Sequence, residues 1–228
     1  MITIMGTITG ITIIMIMSTK FDYLRDPAAI YAQSFETARA ECDLSALPQS
    51  LHALALRLVH ACGRPELIAD LAWGGDPAGA GHRALEAGAP ILVDVEMVAH
   101  GITRTRLPRD NNVLCRLNDP QVPALAKQRG TTRSAAALDL WGEDLAGAVV
   151  AIGNAPTALF RLLEQLNQGA PLPAVILGFP VGFVGAAESK QALIDHAGDI
   201  PFVTLKGRAG GSALAAAAVN ALAGGVGQ

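Results

Sequence analysis

Apolar residues recur at three- and four-residue spacing from residue 27 to about residue 62, and then the rhythm changes. In "DPAAIYAQSFETARAEC", Ile30, Phe35, Ala38 and Cys42 fall on roughly one helical face, with Asp26 placed to cap a helix that starts at Pro27. In "PQSLHALALRLVHACG", Leu51, Leu54, Leu58 and Cys62 repeat the pattern, and Gly63 is a natural stop. After residue 90 come five short runs rich in β-branched residues: "ILVDV" (91–95), "VLC" (113–115), "AVVAI" (148–152), "AVILG" (174–178) and "PFVTL" (201–205). Helical patterns lie between and after them, near 120–128, 134–141, 156–167, 188–195 and 211–223.

Strands alternating with helices predict βαβ units and a mostly parallel sheet covered on both faces. The expected fold class is therefore α/β: a three-layer α/β/α arrangement with a five-stranded, flavodoxin-like sheet. The N-terminal helices are expected to pack against it rather than form a second domain. In such sheets ligands bind at the carboxyl ends of the strands. Three glycine-rich segments follow predicted strands and open helices there: "GNAPTA" (153–158), "GFPVGFVGAAESK" (178–190) and "KGRAGGSA" (206–213). Glycine permits close backbone approach, and amides at a helix start favour anions. "TTRSAA" (131–136) adds Arg133 and hydroxyls before another helix.

The first sixteen residues do not fit this pattern. "MITIMGTITGITIIM" and Ile16 are Ile/Thr/Met-rich and uncharged, with Gly6 and Gly10 inside the run. They lack the positive start and cleavage site of a signal peptide. A membrane-spanning helix needs roughly 20 apolar residues, and this run is shorter and studded with threonine. We expect residues 1–16 to be a non-native or disordered extension, and 17–228 to be a single domain. The 228 residues are 51% hydrophobic, ample for one core, and the formal net charge of -3 offers no basic footprint for nucleic acid. Cys42, Cys62 and Cys115 are odd in number and far apart, which suits reduced thiols in a cytoplasm.

Motif chemistry narrows the function by subtraction. Neither GxxxxGK[ST] nor a GxGxxG with a following acidic residue occurs after a strand, so nucleotide binding is disfavoured. His52, His60, His82, His100 and His196 stand without HxH, HExxH or Cys/His pairs, and no metal is expected. GxSxG is absent. Cys62 lies near His60, but two positions apart on a helix the side chains diverge, and the buried thiol is the commoner case. His60 remains, in the last turn of its helix, where the helix dipole favours a cation. Arg57 projects from nearly the same side. One proton-transfer group among anion-binding segments suggests an isomerase or lyase acting on a large acidic molecule. Asp94 and Glu96, closing the first predicted strand, either face a ligand or cap the next helix. Glu188 and Lys190 read as residues that cap and solvate a helix start.

From about Asp22 to Ala223 the chain resembles the precorrin-8X methylmutase (precorrin isomerase) family of cobalamin biosynthesis. The resemblance is carried, in order, by "YLRDPAAIYAQSF", "RLVHACG", "GAPILVDVEMVAHGITR", "TRSAAALDLW", "GNAPTALFRLLE", "GFPVGFVGAAESK" and "GRAGGSALAAAAVNALA". It implies a cofactor-free migration of a methyl group from carbon 11 to carbon 12 of precorrin-8X, giving hydrogenobyrinate. The family's proton-donating histidine falls on His60, and its substrate contacts fall on Ser34 and Arg57. Arg133, Thr103, Arg104 and Arg208 are further expected contacts for the substrate's carboxylates. Thr131 departs from the family's asparagine. The resemblance also implies a homodimer. Two other readings stand beside it: the same migration on a cobalt-containing substrate, and a non-catalytic tetrapyrrole carrier.

Overall fold

The β-branched runs form a sheet, and their two-residue alternation explains how both of its faces are covered. In the computed structural model, which describes residues 21–224, five strands run parallel: β2 (Ile91–Val93), β3 (Val113–Cys115), β4 (Val149–Ile152), β5 (Val175–Gly178) and β6 (Phe202–Leu205). Ile91, Val93, Val149, Ala151, Val175, Leu177, Val203 and Leu205 point into one buried cluster. Leu92, Val150, Ile152, Ile176 and Phe202 point into the other. Period-two side chains with both faces apolar are what a parallel sheet between two helical layers requires.

A sixth strand, β1 (Leu71–Gly74), pairs antiparallel with β6, giving the order β1-β6-β5-β4-β2-β3. The five-stranded expectation is corrected by this strand. "LAWG" contains no β-branched residue and no alternation, so periodicity does not reveal it. Its last residue needs to be glycine for a local reason: a Cβ on Gly74 would lie 2.4 Å from the Phe202 ring that covers it. The parallel part, read from β3, has the 2-1-3-4-5 order of flavodoxin-like sheets, with the reversal of strand order between β2 and β4.

One layer contains α2 (Gln49–Cys62), α3 (Pro77–Glu86), α4 (Glu96–Gly101) and α9 (Ser212–Ala223). The opposite layer contains α6 (Arg133–Leu138), α7 (Pro156–Asn167) and α8 (Ala186–His196). A small further cluster joins α5 (Val122–Arg129) to α6. α3 and α4 were not separated as helices by the sequence pattern, because α3 carries Gly79 and Gly81 in its interior and α4 has only six residues. The alanine-rich α9 lies close to its neighbours. A Cβ on Gly101 would stand 2.7 Å from Ala216, and one on Gly153 would stand 2.8 Å from Ala215.

The chain divides between Gln33 and Ser34. In the first unit the Asp26 carboxylate accepts the Ala29 amide at 2.8 Å, the expected cap of α1 (Pro27–Glu41), and the Arg25 guanidinium lies over the Tyr23 ring. In the second unit the remainder of α1 packs through Ala38 and Phe35 onto Leu56 and Val59 of α2. The expectations for residues 1–16 lie outside the described residues.

Candidate active site

α2 ends where Gly63 takes a left-handed conformation (φ 65°) and returns its amide to the Val59 carbonyl. From there a 3-10 segment, Pro65–Asp70, leads into β1. β1 begins at the carboxyl edge of the parallel sheet: Leu71 pairs with Leu205, and the Lys206 amide donates to the Asp70 carbonyl at 2.8 Å. The last turn of α2 thus feeds directly toward the edge where ligands bind in this architecture.

Three of the expected site residues meet there. The Ser34 hydroxyl and His60 Nδ1 are 2.8 Å apart. The Phe35 ring stacks on the imidazole, with centroids 4.7 Å apart and planes inclined by 21°, and the Arg57 guanidinium carbon lies 4.8 Å from the Phe35 centroid. The i,i+3 spacing of Arg57 and His60 puts both on the side that α1 covers. Phe35 was legible only as an apolar helix position, yet its ring contacts both the His60 imidazole and the Arg57 guanidinium.

The electrostatics oppose the simple helix-terminus reading of His60. Partial burial, then the nearby Arg57 charge, hold its pKa below the ordinary histidine value. Both disfavour imidazolium, opposite in sense to the preference of a helix C-terminus for a cation. Arg57→Gln removes the second cause. It is expected to raise the His60 titration midpoint in the free protein, observed by proton NMR of its Hε1. An unchanged or lowered midpoint would show that Arg57 does not act on the ring. Cys62 is exposed, against the expectation of a buried thiol, and its thiol donates back to the Leu58 carbonyl at 3.3 Å.

The remaining expected contacts are tied to other segments following the strands. Arg133 opens α6 and donates to the Leu117 carbonyl and to Asn118 Oδ1, after β3. Beside it Thr132 caps Ala135 and shares a hydrogen bond with Thr157 of α7. Thr103 and Arg104 follow α4. The Thr103 amide donates to Asn220 Oδ1 of α9, whose amide nitrogen donates to the Gly101 carbonyl, while Arg104 reaches the Ala99 carbonyl. Arg208, on the loop after β6, lies over the exposed Phe183 ring of the loop after β5.

The glycine-rich loops differ from the sequence expectation in one respect. Several of their amides are bonded within the protein and not open to a ligand. Asp94, at the end of β2, is almost wholly buried and accepts the Gly153, Asn154 and Ala155 amides at 2.8–3.0 Å. It therefore neither faces a ligand nor caps the next helix; it ties β2 to the β4–α7 loop across the reversal of strand order. Burial raises its pKa, with the three amide bonds working in the opposite direction. Likewise the Gly211 amide donates to the Phe179 carbonyl, and the Gly182 amide to the Arg208 carbonyl. Lys190 also departs from expectation: it is buried, not solvating a helix start. Among the described residues no three His, Cys, Asp or Glu side chains gather to hold a metal, and no helix is long and apolar enough to cross a membrane.

Fold and cluster together describe a doubly wound α/β protein in which Ser34, Phe35, Arg57 and His60 pack together at the end of α2. The family model described as precorrin-8X methylmutase matches residues 29–224. The precorrin-8X methylmutase of a Sinorhizobium species is 59% identical over 90% of this chain and 97% of its own length. That of Pseudomonas aeruginosa is also 59% identical, over 89% of this chain and 97% of its own. The solved precorrin-8X methylmutase from Thermus thermophilus superposes with a TM-score of 0.79 at 37% identity, covering 88% of this chain and all of the other. The chain belongs to the precorrin-8X methylmutase family, and is an isomerase of cobalamin biosynthesis.

Proposed function

We propose that this protein converts precorrin-8X into hydrogenobyrinate, moving one methyl group from carbon 11 to carbon 12 of the macrocycle, with His60 as the acid and base. The migration is intramolecular, so substrate and product have the same atoms and no group is taken up or released. His60 gives a proton to a pyrrolic position, which shifts the electron distribution so that the conjugated product becomes accessible, and the same ring takes a proton back. Ser34 holds Nδ1, which leaves the exchange to Nε2.

The observation that carries this reading is the packed group of Ser34, Phe35, Arg57 and His60. It supplies a titratable ring held in one orientation beside a cation suited to the substrate's carboxylates. In the free protein, burial and Arg57 keep the imidazole mainly neutral at pH 7. A carboxylate that pairs with Arg57 weakens that repulsion and raises the imidazolium fraction when substrate is present. Arg133, Arg208, Thr103 and Arg104 are assigned to the remaining carboxylates and edges of the ligand. The metal-free substrate is supported by the 59% identity to two relatives named for it.

We further place the protein in a cytoplasm, in keeping with three free cysteines, and as a homodimer whose domain runs from Met17 to the end of the chain. The test is an absorbance time course with purified protein and precorrin-8X. Appearance of the hydrogenobyrinate spectrum supports the reading. Conversion of the cobalt-containing substrate alone would reassign the substrate, and tight product binding without turnover would make the protein a carrier.

A further inference from the structure

Lys190 is the one lysine in the described core, with no exposed surface, and its ammonium donates to the Ala209 carbonyl. A buried ammonium is an expensive way to satisfy one carbonyl, since a neutral donor would do so without desolvating a charge. Among the described residues it forms no ion pair. Burial pushes its pKa down to about 8, while the more distant Asp70 carboxylate works to raise it. It is therefore still mostly protonated at neutral pH.

What this ammonium holds is the loop after β6, at a point between its two backbone anchors. Residues 206–211 contain Gly207 at φ 75° and Gly211 at φ 129°, conformations that glycine adopts freely. The loop is anchored by backbone bonds at its two ends, Lys206 to the Asp70 carbonyl and Gly211 to the Phe179 carbonyl. At Gly210 it passes so near the Phe179 and Pro180 carbonyls that a Cβ there would lie 2.4 Å from the Pro180 oxygen. Arg208 is in the middle of this loop, its carbonyl accepting the Gly182 amide and its guanidinium over Phe183. Lys190 grips the residue immediately after it.

We propose that Lys190 is a positioning residue for substrate binding: through the Ala209 carbonyl it fixes the 206–211 loop so that Arg208 meets a carboxylate of the tetrapyrrole. This rests on the assignment of Arg208 as a ligand contact under the proposed function. The buried charge also adds to the positive potential behind that contact, which a neutral hydrogen-bond donor would not.

The experiment is a four-way comparison of hydrogenobyrinate affinity by spectroscopic titration at pH 7, using the full chain, Lys190→Met, Arg208→Ala and the double variant, with steady-state kinetics on precorrin-8X. Lys190→Met and Arg208→Ala are each expected to weaken binding by about tenfold, with the loss falling mainly on KM. The double variant is expected to bind no more than about threefold more weakly than Arg208→Ala, because both changes remove the same contact. Losses that multiply in the double variant would overturn the proposal, since Lys190 would then act independently of Arg208. Wild-type affinity in Lys190→Met beside a weakened Arg208→Ala would also overturn it, and would leave the binding assignment intact. Wild-type affinity in Arg208→Ala would overturn that assignment and the proposal together. Should Lys190→Met fail to fold by circular dichroism, Lys190→Gln carries the same comparison.

Discussion

Replacing His60 by alanine is expected to lower kcat for precorrin-8X by about 10³-fold while leaving hydrogenobyrinate affinity within about threefold of wild type. Positioned proton transfer contributes typically 10²–10⁴-fold, and the ring is the titratable group of the cluster whose charge can change near neutral pH. The arginines proposed to meet the carboxylates are unchanged in the variant, so the ligand is expected to bind still. The Phe35 face that the imidazole covers becomes exposed, a small packing loss at a partly solvated site. In wild type, a reaction that needs imidazolium should lose rate as pH rises through the His60 pKa, which the fold holds below the usual value. That limb of the kcat/KM profile should be missing from His60→Ala. A variant that retains wild-type turnover would remove His60 from the chemistry. A variant that loses binding and turnover equally would make it a ligand contact instead.

Much of this architecture was legible because parallel strands buried on both faces leave a plain mark on sequence. All five parallel strands coincide with β-branched runs, within two residues at each end. The packing around His60 was legible in part: helical spacing placed Arg57 and His60 on one side of α2, and the family resemblance added Ser34. Phe35, its neighbour in sequence, was hidden because its role depends on α1 packing across α2, which no single-helix pattern encodes. Asp94 was noticed but not resolved, since its partners lie about sixty positions further on. Lys190 was misread for a similar reason. Beside Glu188 near the start of a helix it reads as a solvated residue, yet the loop after β6 folds over it. β1 escaped because "LAWG" has no β-branched residue and no alternation, and its pairing partner β6 lies about 130 positions further on.

Asp94→Asn should cost about 2–4 kcal/mol of folding stability, measured as the shift in free energy of urea unfolding, and should reduce turnover as well. The carboxylate accepts three amides through two oxygens, Gly153 on Oδ1 and Asn154 and Ala155 on Oδ2. Asparagine has the same shape but can present only one oxygen. Whichever way its amide turns, an NH2 group faces at least one backbone N–H, and a buried donor is left unpaired, each such group costing about 1–3 kcal/mol. Relief of the desolvation that raises the Asp94 pKa offsets part of that cost. The functional effect follows from position. The bond joins the ends of β2 and β4 where strand order reverses, the place from which ligand-binding loops diverge in this class of sheet. The freed 153–155 segment leads into α7, whose Thr157 is bonded to Thr132 beside Arg133. Loosening it should therefore raise KM through Arg133 while leaving the Ser34–His60 pair, on the opposite helical layer, in place. Unfolding free energy unchanged within 0.5 kcal/mol, a margin within which surface substitutions usually fall, would mean that the three amide bonds are not what holds the switch point closed.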